Sequence, residues 1–295
     1  MRAHRGFTLI EMITVLVVTG VLAISVWRAV APQINAARDA AGRAALVDYA
    51  TIALTRMTRE IALALPNSLR VNGGGTALEF LRTVSGGRYR ATGDGSNNDV
   101  CAGADTDSLD LARQRDCFEV LGGMPNTAAM VAGTGGRAAC RAGTIDCVAV
   151  FNTGQPGADA WAGDNLAGLA TITSGAGGVA LTFDRSDSGS SLPRGSPQQR
   201  FHVVDGAVSF VCDLGLGTLS RYADYGIAAA MSVPPAGTAQ PLAVQVTGCV
   251  FRYTPGTATR AGLVSIELSV TGTNATNGGA ETVTLLEQVA VSNAP

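Results

Sequence analysis

The chain contains no lysine: all 21 of its basic side chains are arginine. That removes any phosphate-binding loop of the Walker type, which needs a lysine after its glycines, so the chain is not itself an ATPase of that class. Histidine is nearly absent, with only His4 and His202 among 295 residues. Two histidines so far apart cannot build a His-Glu-x-x-His zinc site. No Gly-x-Ser-x-Gly elbow occurs, so the common serine-hydrolase arrangement is missing as well. A strand-like alternation in Phe201-His202-Val203 makes His202 a sheet residue before it is a base. Cysteine is absent from the first 100 residues, and no Cys-x-x-Cys pair occurs. Aromatics are only 5% and the formal charge is −2, so the basic footprint of a general nucleic-acid binder is lacking. No enzymatic function and no cofactor are expected.

What is present begins at the N-terminus. Met1-Arg-Ala-His-Arg-Gly6 is short and basic, and Phe7 to Trp27 is a 21-residue run whose only charge is Glu11. About 20 apolar residues suffice to cross a bilayer as a helix. Arg2 and Arg5 favour a cytoplasmic leader and an outward remainder. Two plainer readings compete. A secretory signal would be cut after the run, where Ala29-Val-Ala31 offers small residues, although Pro32 follows at once. A simple anchor would need no acid, and a carboxylate in hydrocarbon asks for a partner.

The segment Gly6-Phe-Thr-Leu-Ile-Glu11-Met12, with the apolar run behind it, resembles the class III signal of type IV prepilins and type II secretion pseudopilins. The resemblance implies cleavage by a prepilin peptidase between Gly6 and Phe7 and methylation of the new Phe7 amine. It also implies pairing of Glu11 with the N-terminal ammonium of a neighbouring subunit, two charges each costly alone in an apolar filament core. Loss of Arg2 and Arg5 would leave 19 arginines against 23 acids, a side-chain balance of −4.

Helical spacing continues past the run through Leu46, Ala50, Ala53, Met57, Ile61 and Leu65, and Pro66 ends it. Asp39 with Arg43 and Arg56 with Glu60 are expected i,i+4 pairs, and Pro32 is expected to kink the helix. A continuous helix over Phe7–Leu65 would be about 88 Å long.

After Pro66 the pattern changes to short β-branched runs divided by glycine, serine and asparagine. Strands are predicted at Ala77–Val84, Cys117–Leu121, Cys147–Phe151, Val179–Phe183, Phe201–Asp205 and Ala207–Cys212. Others follow at Leu219–Tyr222, Leu242–Tyr253, Leu263–Val270 and Thr282–Val291. Leu214 to Gly217 reads as a hairpin turn. The segments 93–98, 153–168, 184–199, 234–241 and 271–279 read as surface loops. Gly133-x-Gly135-Gly136 and Gly175-x-Gly177-Gly178 read as turns. The expected class is α+β and pilin-like: leader 1–6, transmembrane and stem helix 7–66, and one antiparallel β-rich head 67–295.

Six cysteines, Cys101, Cys117, Cys140, Cys147, Cys212 and Cys249, fit a disulfide-permitting compartment. They allow 15 complete pairings. Cys212 and Cys249 lie on long predicted strands, read as sheet neighbours; Cys101 with Cys117 and Cys140 with Cys147 would close local loops. Oxygen-rich loops around Asp94, Asp99, Asp105, Asp107 and Asp110 leave a calcium reading open, without EF-hand spacing.

Within the head, Arg200-Phe-His-Val-Val-Asp-Gly-Ala-Val-Ser-Phe-Val-Cys-Asp213, the stretch 218–226 and the ending from Leu285 resemble minor pilins of the MshO type from mannose-sensitive haemagglutinin pilus systems. The hairpin and Ala261-Gly-Leu-Val-Ser-Ile-Glu267 also resemble J-type pseudopilins. These resemblances imply a non-catalytic subunit with three partners: the prepilin peptidase, other minor and major pilins, and an inner-membrane assembly platform. They imply a single-pass inner-membrane precursor with a periplasmic head that later enters a cell-surface pilus. A tip adhesin or DNA-uptake subunit using Arg82, Arg88 and Arg90 is the alternative of a different class.

Overall fold

The computed structural model describes residues 8–93, 100–101, 107–109, 111, 116–175, 178–184, 192–257, 260–274, 276 and 278–292. The long helix α1 spans Leu9–Ile61 and runs through Pro32. It stops four residues short of the predicted Leu65. Ala62 and Leu63 form a turn there, and the Leu65 N–H donates to Leu81 O on the sheet, which diverts the backbone from the helix.

Strands follow as β1 (Arg70–Val71), β2 (Ala77–Tyr89), β3 (Cys117–Leu121), β4 (Cys147–Val150), β5 (Leu166–Gly175), β6 (Gly178–Asp184), β7 (Arg200–Asp213), β8 (Thr218–Tyr225), β9 (Thr238–Val244), β10 (Val246–Thr254), β11 (Gly262–Thr273) and β12 (Ala280–Val291), with a short helix α2 (Gly136–Ala142) before β4. Among the described residues, nine strands form one sheet ordered β1-β2-β3-β6-β5-β4-β7-β8-β9, and β10-β11-β12 form a second. The protein is therefore α+β: a long apolar helix followed by an antiparallel β-rich globular head.

Two compact units result. One comprises residues up to 49 with 271–283, and the other comprises 50–270 with 284–295. In the larger unit Ala50, Ala53, Leu54, Met57 and Ile61 are the buried residues of α1. Glu60 accepts from Arg221 on β8 at 2.6 Å and lies 3.7 Å from Arg56. A second core gathers Phe118, Phe183 and Phe201, with the Phe118 ring 5.4 and 5.0 Å by centroid from the other two, within the favoured range for edge and tilted aromatic pairs.

Several strand and loop expectations are corrected, among them the loop 234–241, within which β9 begins at Thr238. Phe201–Asp205 and Ala207–Cys212 are one strand, because a bulge at Asp205, between the Arg82–Gly206 and Thr83–Val204 pairs, bends the strand without ending it, and Gly206 takes φ +142° at no Cβ cost. Leu242–Tyr253 is two strands, split at Gln245 with φ +59°. The first of them includes Pro241, tolerated because β9 is an outer strand and needs no N–H on its open side. The predicted surface loop 153–168 is largely interior: Ala158, Ala160, Trp161 and Asn165 are buried, and β5 begins at Leu166. Side-chain amides make this possible by serving the buried backbone. Asn152 donates to Pro66 O at 2.7 Å and accepts from Ala160 N at 2.9 Å, and Asn165 accepts from Arg194 N at 3.1 Å.

The glycines at 133–136 open α2 rather than a plain turn. The Gly135 and Gly136 N–H groups donate to Asp184 Oδ2 at 2.6 and 3.1 Å. The helix rests so closely on β5 that a Cβ on Gly168 would lie 2.2 Å from the Gly136 carbonyl oxygen. Gly168→Ala should therefore destabilise the head by about 1–3 kcal/mol through overpacking. Gly123→Ala, with nothing within 4 Å, is the control. Equal denaturation midpoints for the two variants would contradict this packing.

Candidate functional site

The site begins at the first turn of α1. Thr8 caps it: its carbonyl accepts from the Glu11 and Met12 N–H groups at 3.1 and 3.2 Å, and its Oγ1 lies 3.4 Å from Glu11 N. Thr8-x-x-Glu11 has capping-box spacing, a helix-start signal that the apolar run had masked in sequence. Glu11 thus sits where the helix dipole favours an acid, but among the described residues no cation pairs with its carboxylate. Gly6 and Phe7 lie outside the described residues.

The other polar side chains of the run are satisfied within the helix. Thr14 donates to Glu11 O at 3.0 Å, Thr19 to Val15 O at 2.7 Å and Ser25 to Val21 O at 2.8 Å, as a low-dielectric surround requires. The large apolar side chains of this part all point outward, from Leu9 at 79% to Trp27 at 69% exposed. The helix is long and apolar enough to cross a membrane, and none of that apolar window is covered by the rest of the protein. Glu11 is therefore the one unanswered charge on an uncovered apolar rod.

Further along α1, Asp39 and Arg43 are engaged by the β11–β12 hairpin tip. Asp39 accepts from Thr276 N at 3.1 Å and from its Oγ1 at 2.6 Å, and Arg43 pairs with Glu281. Tertiary partners have displaced the expected local pair.

In the head, disulfides join Cys101 to Cys117, Cys140 to Cys147 and Cys212 to Cys249, with Cα separations of 5.9, 5.1 and 6.3 Å. The last links β7 of the nine-stranded sheet to β10 of the three-stranded sheet. Cys212 and Cys249 are thus not sheet neighbours but a staple between sheets.

Arg82 is paired with Asp205, Arg88 donates to Gln198 O at 3.1 Å, and Arg90 lies 2.8 Å from Asp107. Each is engaged by the head itself, so the three do not offer a free basic patch. Asp107 is fully buried against Arg90, while Asp94, Asp99, Asp105 and Asp110 lie outside the described residues. No cluster of three metal-ligating side chains occurs among the described residues. His202 sits on β7 opposite Gly86 and Ala149. Burial, helped by Arg200, lowers its pKa to about 4, and its Nε2 has no hydrogen-bond partner among the described residues. It is a neutral sheet residue.

Sequence reading missed a buried polar cluster. Glu79 Oε2 accepts from Arg70 at 2.5–2.6 Å, and its Oε1 accepts from Tyr225 OH at 2.9 Å. The Arg70 guanidinium lies 3.6 Å from the centre of the Trp161 ring, a cation–π contact. Burial, with the Glu79 carboxylate beside it, raises the Tyr225 phenol. Nothing short of the tertiary fold brings these four residues together.

Residues 1–27 match the model of the prokaryotic N-terminal methylation motif. No curated protein sequence and no solved structure matches the chain. The motif supports a protein of the type IV pilin-like or pseudopilin class, and with the uncovered apolar helix it supports membrane anchoring. It also implies processing by a prepilin peptidase and a structural rather than catalytic part.

Proposed function

We propose that this protein is a minor pilin that primes or joins assembly of a type IV pilus of the mannose-sensitive haemagglutinin kind. It is cleaved after Gly6 and N-methylated at Phe7. It waits as a single-pass inner-membrane protein with a periplasmic head, and then enters the filament. The observation carrying this reading is Glu11, a lone carboxylate on an uncovered apolar helix inside the methylation motif. An acid so placed is costly unless a partner arrives, and the Phe7 ammonium of an adjacent subunit is such a partner. A type II secretion pseudopilin would use the same physics in a shorter filament.

The head is large for a repeating subunit. A compact chain of about 229 residues has a radius of gyration near 17 Å, or roughly 45 Å across, whereas packed helices lie about 8–10 Å apart. A position near the filament tip relieves that crowding. Mass spectrometry of the mature protein should find a methylated N-terminus at Phe7. A chain beginning at Met1 or after Ala31 would sink the reading. Glu11→Ala should leave membrane insertion intact and abolish incorporation into sheared pili. Copy number in those pili should fall far below that of the repeating subunit; parity would exclude the minor role, and recovery only with a secretion filament would favour the pseudopilin.

A further inference from the structure

Where α1 leaves its apolar run, a groove of about 580 Å³ opens between the helix and the β11–β12 hairpin tip, lined by Trp27, Arg28, Pro32, Asn35, Asp39 and Thr276. That volume is within the range small ligands occupy. We propose that it binds the headgroup of an anionic phospholipid carrying a free hydroxyl, on the head side of the bilayer.

The argument starts from depth. The apolar run ends at Trp27, and exposed tryptophan next to arginine is the usual mark of a membrane–water boundary. The headgroup layer is about 5–7 Å thick on each face. Trp27 to Pro32 covers about 7.5 Å of helix, so the lower half of the groove lies at headgroup depth. The groove is thus continuous with the bilayer surface.

Charge and hydrogen bonding then select the ligand. The one acid lining the groove, Asp39, is taken up by the Thr276 N–H and hydroxyl. Arg28 makes no ion pair among the described residues and is exposed. It is the groove's cation and sits about three helical turns nearer the apolar run than Asp39, so it is the charge that meets the headgroup layer, which calls for a phosphate. Pro32 has no N–H to give, so the Arg28 carbonyl loses its helical donor. An unpaired carbonyl next to hydrocarbon is costly, and a headgroup hydroxyl would satisfy it. A glycerol-type headgroup supplies both groups at once; an ethanolamine headgroup brings a cation towards Arg28 instead.

This inference rests on the membrane-anchor reading, and the test separates the two. The full chain is placed in nanodiscs of equimolar phosphatidylglycerol and phosphatidylethanolamine, and the lipids retained on release are read by native mass spectrometry. Phosphatidylglycerol should predominate, and Arg28→Gln should lower its ratio to phosphatidylethanolamine about fivefold, the worth of one arginine near a charged surface. Arg28→Lys should keep most of the preference. Arg38→Gln, an exposed arginine outside the groove, should leave it unchanged. Equal retention of the two lipids, or an equal loss with Arg38→Gln, would overturn the inference while leaving the anchor intact. Dimers in place of lipid adducts would assign the groove to a second copy and overturn it too. A chain that never enters the discs would defeat both readings.

Discussion

Replacing Glu79 with alanine is expected to cost the head about 3–5 kcal/mol, the usual penalty for stranding one half of a buried ion pair. Glu79 is 2% exposed. Its removal leaves the Arg70 guanidinium held only by the Ala228 and Ala229 carbonyls and the Trp161 ring, with no counter-charge. It also removes the acceptor of Tyr225, whose hydroxyl keeps only Ser209 at 2.5 Å. Urea denaturation followed by Trp161 fluorescence reads the loss where it occurs. Glu79→Gln should cost less, since it still accepts from Tyr225. Replacing Arg70 and Glu79 together by Met and Leu should recover much of the loss, because an apolar pair of similar volume often matches a buried ion pair. A change below about 1 kcal/mol for Glu79→Ala would show that the cluster is not the desolvated network its geometry indicates.

The second large effect is a dependence on pH that the wild-type protein hides. Asp146 is 3% exposed, and burial raises its pKa from 3.8 to about 6, against the pull of the Val131 N–H at 2.9 Å. Between those values the native state holds a proton that the unfolded chain has released, so stability falls as pH rises through that window. Above about pH 6 the full cost is present, on the order of 3 kcal/mol. His202 works in the opposite sense. Its pKa is lowered from 6.5 to about 4, so there the unfolded chain holds the extra proton, and stability falls as pH drops through the window, again by on the order of 3 kcal/mol. From about pH 4 to 6 the two nearly cancel. Asp146→Asn keeps an acceptor for Val131 and removes only the charge. It should stabilise the head at pH 7 by up to about 3 kcal/mol and unmask a steep acid lability from His202. Denaturation midpoints at pH 4, 5, 6 and 7 decide this; parallel profiles for wild type and Asp146→Asn would refute it.

These effects arise from residues that no local pattern joins. Asp146 and His202 are 56 positions apart in the chain, yet Asp146 immediately precedes β4 and His202 lies on the β7 segment that pairs with it, and Arg70 meets Trp161 across 91. The spacing of acids around Asp107 says nothing about Arg90, which reaches it from just past the end of β2. Arg82, Arg88 and Arg90 likewise look free in sequence and are each engaged in space.

What the sequence alone determined was carried by short-range physics. Helical spacing that persists past Pro32 made α1 legible from the apolar run to within one turn of its end, and a lone acid in that run singled out Glu11. Alternation of side chains with period two marked most of the strands, and an even cysteine count with no metal-ligand spacing spoke for disulfides. What only the tertiary structure decided was everything set by long-range pairing. The order β1-β2-β3-β6-β5-β4-β7-β8-β9 is invisible to periodicity. So is the division of six cysteines into bridges, one of them between sheets. The strand β5 and the helix α2, both rich in glycine and other small residues, are stable because each is packed on the other, a reason that exists only once the chain has folded.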